Sequence, residues 1–284
     1  MSHENPTTMD TTTHHDHQAQ FNKDWDKTQN NPYLNKLNNG SALFATAGEK
    51  QEFAQAFNRH SDLKYTLKCS DGRVDDGGLK SGDETWKTAG SHALLHPSAR
   101  QDFVLKHKGR IELVTSHAGC GAAALKFKDM QAKGEALPEG VTTSDELGEY
   151  LAKQLAKELG AEHRHISHSE LINPTHNERV LVIDGTGRFN ANKIKDFPPR
   201  FTSAALGLGE DKNYVKEEAE ILSGIALGDH GFGDRFTVEN PFHILVIGET
   251  QAQAEEMKHL LTPFEAKMAG RVKLETLVAP DHQE

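Results

Sequence analysis

The stretch RIELVTSHAGCGAAA, Arg110 to Ala124, decides the fold. RIELVTSH reads as a strand ending at His117, and the small residues AGCGAAA let the chain turn tightly into a helix. Working outward, SDLKYTLKCSD (61–71) is a second strand. Leu63, Tyr65, Leu67 and Cys69 alternate with Lys64, Thr66 and Lys68, the period of two of a strand with one buried face. Cys69 closes that strand on its buried side. RVLVID (179–184) and FHILVIG (242–248) are continuous apolar runs, as in strands covered on both faces, and RVKLETLV (271–278) alternates like an edge strand. Helices fall between them. Thr143 and Glu146 form a capping box for TSDELGEYLAKQLAKEL (143–159), whose Leu147, Leu151, Leu155 and Leu159 make an apolar stripe before Gly160 stops it. TQAQAEEMKHLLTPF (250–264) reads similarly. The alternation predicts an α/β fold with a mainly parallel central sheet flanked by helices. No internal repeat and no linker is legible.

The chain has 284 residues, 36% hydrophobic and 26% charged, so it can bury a core without disulfide staples. No apolar run approaches the roughly 20 residues that span a bilayer, and the polar N-terminus lacks the apolar core of a secretory signal. The expected location is the cytoplasm, where the two cysteines stay reduced. A net charge of −10 argues against a nucleic-acid partner, and Lys106, Lys108 and Arg110 read as solvated surface charge. Residues 1–33, rich in Thr, His, Asn and Asp, predict a disordered or arm-like tail, in which His14, His15 and His17 have no fixed geometry.

In open parallel sheets, ligands sit beyond the C-terminal ends of strands. Cys69 closes one strand, and His117 to Cys120 follow from another. If the two strands are neighbours, both thiols and one imidazole converge, which matches a zinc site with an open fourth position. Singly, Cys69 reads more readily as a small buried hydrophobe, His117 as a strand-end histidine, and Asp71 with Arg73 as a turn ion pair. Their joint occurrence favours metal. Too few residues separate Cys69 from Arg73 for a cysteine-phosphatase loop, and neither GxxxxGK[ST] nor GxGxxG appears. His163, His165 and His168 in HRHISH read as a solvated strand or loop rather than a second metal site, and GDHGFGDRF around His230 as a turn.

CSDGRV (69–74) and SHAGCGA (116–122) together resemble the β-class carbonic anhydrases, whose pattern is Cys-x-Asp-x-Arg after one strand and His-x-x-Cys-Gly after a later one. LNNGSALF (37–44), KTAG (87–90) and VLVIDGTGRF (180–189) are weaker echoes of the same family. The resemblance covers about Leu34 to Asn190. It implies a zinc domain over 34–190, with 191–284 a C-terminal α/β extension packed on the same body. It further implies a zinc-dependent lyase in which zinc-bound hydroxide hydrates carbon dioxide reversibly to bicarbonate. Cys69, His117 and Cys120 are then the metal ligands. Two thiolates formally neutralise the dication, so the bound water needs help to ionise. Asp71 is placed to accept its hydrogen bond, and Arg73 to hold that carboxylate ionised and oriented through a two-pronged pair. The family forms dimers and larger assemblies, so a homodimer or higher homo-oligomer is implied. Asp75, Asp76, Gly77 and Gly78 stand where the family continues with apolar residues and proline, and Lys87-Thr88 where it has Arg-Asn. These departures and the extension keep an alternative open. It is the same zinc fold hydrolysing carbonyl sulfide or carbon disulfide, or serving as a non-catalytic binding or regulatory module.

Overall fold

A computed structural model describes residues 11–57, 64–74, 84–94, 97–171, 176–229 and 231–280. The fold is α/β, with helices flanking parallel sheet, but the strands form two sheets of four. The first has β1 (Tyr65–Cys69), β2 (Glu84–Thr88), β3 (Ile111–His117) and β4 (Glu162–Ile166), in the order β2-β1-β3-β4. The second has β5 (Val180–Asp184), β6 (Arg200–Ser203), β7 (Phe242–Gly248) and β8 (Val272–Val278), in the order β6-β5-β7-β8. The two orders are the same. In each, the chain enters at an inner strand, steps out to one edge, then crosses back to the other side. A topological repeat is therefore present where the sequence showed none. The sheets meet along β2 and β6, where the Ala204 amide donates to Lys87 O at 2.6 Å and the Thr202 amide to Ser70 O at 3.1 Å.

Covering helices explain the strand patterns. Val180 and Val182 of β5, with Leu245 and Ile247 of β7, face a cluster that includes Leu34, Leu37, Phe44 and Phe53. These last come from helices α2 (Pro32–Asn38) and α3 (Ala47–Gln55) and the segment between them. The alternate residues Leu181, Ile183, Ile244 and Val246 face the other side, against Ala219 and Leu222 of α7 (Lys212–Leu227) and Met257 and Leu261 of α8 (Gln251–Lys267). With both faces buried, β5 and β7 tolerate no polar alternation, and their continuous apolar runs follow. β8 is an edge strand and alternates accordingly. Around the first sheet stand α4 (Pro97–His107), α5 (Gly121–Lys133) and α6 (Ser144–Leu159). Thr143 and Glu146 cap α6 reciprocally, and Gly160 ends it at φ 72°.

Two placements differ from the reading of the sequence. Residues 34–57 and β5, assigned there to the first unit, lie on and in the second sheet, and the boundary at Asn190 falls between β5 and β6. Residues 11–28, read as part of a tail, form helix α1 (Thr11–Thr28). Trp25, 4% exposed, anchors it edge-on to Phe232 and Phe236, with the Arg179 guanidinium 3.7 Å above the indole. Trp25, with Phe21 also edge-on to Phe232, thus docks a helix of otherwise polar composition. Among the described residues, no helix is long and apolar enough to cross a membrane.

Candidate metal centre

β1 and β3 are hydrogen-bonded parallel neighbours, so their C-terminal ends open side by side. From β1 the chain runs to β2 on one flank and from β3 to β4 on the other, which makes this crevice the sheet's switch point. Cys69 is the last residue of β1 and His117 the last of β3. Ala118 and Gly119 reverse the chain, Gly119 at φ 66°, and Cys120 becomes the N-cap of α5. A Cβ on Gly121 would stand 2.7 Å from Ile225 Cδ1, so the small residues here also let α5 approach α7.

The three expected ligands do converge. The Cys69 and Cys120 sulfurs are 3.9 Å apart, and their sulfurs and a His117 ring nitrogen all lie within 4.8 Å of one another. Tetrahedral zinc with Zn–S near 2.3 Å sets its sulfurs about 3.8 Å apart, so the spacing suits that ion. All three side chains are buried. His117 Nδ1 donates to Ala118 O at 3.0 Å, and Nε2 is buried with no hydrogen-bond partner among the described residues. A buried ring nitrogen without a partner costs stability unless something takes its lone pair, and a cation held between the two thiols would do so. The hydrogen bond from Cys120 holds the Cys69 thiol well below its usual range, and that contact holds Cys120 up, so the pair shares one proton. Burial would lower His117, but the Cys69 thiolate outweighs it and raises the imidazole to about 9.

Asp71 and Arg73 pair as the sequence led us to expect. Asp71 Oδ1 accepts the Arg73 amide at 2.9 Å and Nε at 3.0 Å, and Oδ2 accepts Nη2 at 2.6 Å. The same Nη2 donates to Gly119 O at 2.9 Å, tying the turn after β1 to the turn after β3. Asp71 Oδ2 stands 3.7 Å from His117 Nε2. Burial alone would raise this carboxyl, but His176, Arg73 and His117 outweigh it and hold it well below the usual range.

Three further residues escaped the sequence reading. His176 and Glu178 precede β5, and Glu218 lies on α7, so all three come from the second half. His176 Nδ1 meets Glu178 Oε2 at 3.1 Å, and its Nε2 faces Asp71 Oδ2 at 3.8 Å. Glu178 Oε1 also accepts the Gly72 amide at 3.0 Å. Asp71, His176 and Glu178 form a second group of metal-donor type, but Arg73 already supplies the cation on Asp71. Glu218 accepts from Ser70 Oγ at 3.2 Å and from the Ala89 amide, joining the turns after β1 and β2. Burial pushes it up to about 7. Only H-x-E before an apolar run marked the first pair, and nothing in the sequence singled out Glu218.

The other candidates lie elsewhere. His163 Nε2 and His165 Nδ1 converge on Ser116 Oγ at 3.0 and 2.9 Å, while exposed His168 borders Gly119. Of the flanking echoes, KTAG ends β2 with Thr88 in register beside Cys69, whereas Asn38 of LNNGSALF bonds His243 on β7. Asp75 to Gly78 and His230 lie outside the described residues, as do the side chains of His14, His15 and His17. Compared with protein-family models, with curated proteins and with solved structures, the chain matches none.

Proposed function

We propose that the chain is a zinc-dependent lyase that hydrates carbon dioxide reversibly to bicarbonate. The observation that carries this reading is the convergence of the buried His117 ring, whose Nε2 has no hydrogen-bond partner among the described residues, with two thiols at zinc spacing beside a carboxylate clamped by arginine. Cys69, His117 and Cys120 would hold the ion, the imidazole oriented through its Nδ1 bond to Ala118 O. Zinc supplies Lewis acidity, which makes a nucleophile from water near neutral pH.

The protein's own groups supply the rest. Asp71, kept ionised, accepts a hydrogen bond from the attacking water at Oδ2 and so orients it. Arg73 fixes that carboxylate with a fork that lysine lacks, and through Gly119 O it fixes the metal turn too. The residues of the site are between 2% and 6% exposed, so the substrate is small and largely desolvated where it reacts. Carbon dioxide meets that condition. Carbonyl sulfide and carbon disulfide are linear molecules of the same kind, and hydrolysis of either without hydration would move the assignment to them.

The test joins metal content by mass spectrometry to stopped-flow hydration of zinc-loaded protein between about pH 7 and 9. One zinc per chain with rapid hydration is expected. Full zinc occupancy with no hydration refutes the reading. A homodimer or larger assembly belongs to the same reading, and mass in solution tests it.

A further inference from the structure

β4 carries two histidines that the thiol site does not use. It is the edge strand of the first sheet, with His163 in register with Val114 of β3 and His165 with Ser116. Glu162 and Arg164 are exposed, whereas the alternate His163 and His165 are half-buried on the face that α6 covers, where Leu155 and Leu159 pack with Val114. Residues two apart on a strand share a face and stand about 7 Å apart, within reach of one ion. The rings do converge, His163 Nε2 and His165 Nδ1 lying 3.0 and 2.9 Å from the same Ser116 Oγ.

α6 adds a carboxylate. Glu149 Oε2 stands 4.0 Å from His165 Nδ1, while its Oε1 takes Lys153 Nζ at 2.6 Å. Two imidazoles and a carboxylate are the donors of a zinc site with an open position, and tetrahedral zinc sets such donors about 3.4 Å apart. Held to one oxygen, the two ring nitrogens are less than about 6 Å apart. Unlike the thiol set, whose donor atoms already lie within 4.8 Å of one another, these must close on the ion. The side chains of His165 and Glu149, 28% and 33% exposed, have room to do so, and the rings exchange two bonds to a neutral hydroxyl for two to metal. The charge states suit it. Burial, with Lys153 alongside, lowers the His163 imidazole, so its lone pair is available near neutral pH. The hydrogen bond from Lys153 holds the Glu149 carboxyl below its ordinary range, hence ionised.

We propose that His163, His165 and Glu149 bind a divalent first-row cation that favours imidazole, zinc foremost, at the β4 edge. The site stands apart from the lyase reading. It shares no donor with Cys69, His117 and Cys120, and Ser116 and His117, consecutive on β3, project to opposite faces. Its ion is exchangeable, because the strand edge opens to solvent and Lys153 repels a cation.

The experiment titrates the full chain with zinc by equilibrium dialysis, beside spectra of its ¹⁵N-labelled imidazoles. A second equivalent is expected beyond the one at the thiols, and it should shift the two signals that disappear in His163→Ala and His165→Ala. Each of these substitutions, and Glu149→Gln, should weaken the second equivalent by more than about 10-fold and leave the first in place. A chain with His14→Ala, His15→Ala and His17→Ala combined controls for the N-terminal histidines and should keep both equivalents. No second equivalent below about 0.1 mM zinc overturns the site, as does one that is lost in the N-terminal control and kept in His163→Ala. A chain that takes no zinc at its thiols yet shifts those two signals loses the lyase reading and keeps this site.

Discussion

Glu218→Gln should stabilise the protein in alkaline solution and leave it nearly unchanged in acid. Glu218 is 2% exposed and accepts bonds from Ser70 and Ala89, while its Oε2 has no partner among the described residues. Burial, set against those bonds, raises its carboxyl from 4.5 to about 7. A raised acid favours the folded state fully below the unfolded value and loses that advantage as pH rises through the folded one. Below 4.5 both states hold the proton, and between 4.5 and about 7 only the folded state does, so stability falls by about 1.4 kcal/mol per pH unit. Above that window the penalty is constant at about 3 kcal/mol. Glutamine removes the charge, keeps an acceptor for Ala89 and Ser70, and gives the partnerless position a donor. Urea unfolding of wild type and variant at pH 4.5 and pH 8 measures the double difference, in which every other titrating group cancels. We expect about 3 kcal/mol in favour of glutamine at pH 8 relative to pH 4.5. A double difference under about 0.5 kcal/mol refutes the claim that burial forces this carboxyl to hold its proton.

Asp71→Ala should retain zinc yet lose about 10²-fold or more in hydration, measured by stopped flow beside metal analysis. Cys120→Ser should release zinc and weaken the fold, and full occupancy in that variant would remove Cys120 from the donor set. Gly72→Ala should cost about 1 to 3 kcal/mol, because a Cβ there runs into the Arg200 carbonyl and stands 3.0 Å from Glu178 Oε1. Trp25→Ala should cost about 3 to 5 kcal/mol in thermal or urea unfolding, since it empties an aromatic nest and strips Arg179 of its ring.

The convergence of Cys69, His117 and Cys120 was legible because each half of it is local. Cys69, Asp71 and Arg73 share one turn, His117 and Cys120 another, and period-two alternation with the small-residue turn was enough to put both at strand ends, although β1 is buried on both faces, Thr66 and Lys68 included, rather than on one. The capping box and the apolar runs of β5 and β7 were legible for the same reason. β2, whose Glu84, Thr85 and Lys87 interrupt any apolar pattern, and four-residue β6 were not. Those two strands form the seam. Without them the second half could not be placed against the first, and His176, Glu178 and Glu218 had no visible connection to Cys69. Trp25 was lost in a polar composition because docking depends on what its one large ring meets.

The repeat explains why the site is lopsided. At the ends of β5 and β7 and at the N-cap of α8, where the first half has Cys69, His117 and Cys120, the second has Asp184, Gly248 and Thr250. Arg188 follows β5 as Arg73 follows β1, but it pairs with Glu249 at 2.7 Å instead of a carboxylate on its own turn. Asp184 accepts from Thr186 and Phe189 and so closes its turn on itself. Gln253 bridges the crevice, its Oε1 taking the Glu249 amide and its Nε2 donating to Gly185 O. A Cβ on Gly248 would stand 2.7 Å from Ala254 N and Thr250 O, so no imidazole fits where His117 has its counterpart. The second crevice is thus bridged by its own side chains, and what the second half contributes at the seam is buried carboxylate and imidazole. The cysteines and the histidine that converge come from one copy, as does the arginine that clamps Asp71, while His176, Glu178 and Glu218, which brace the turns around them, come from the other.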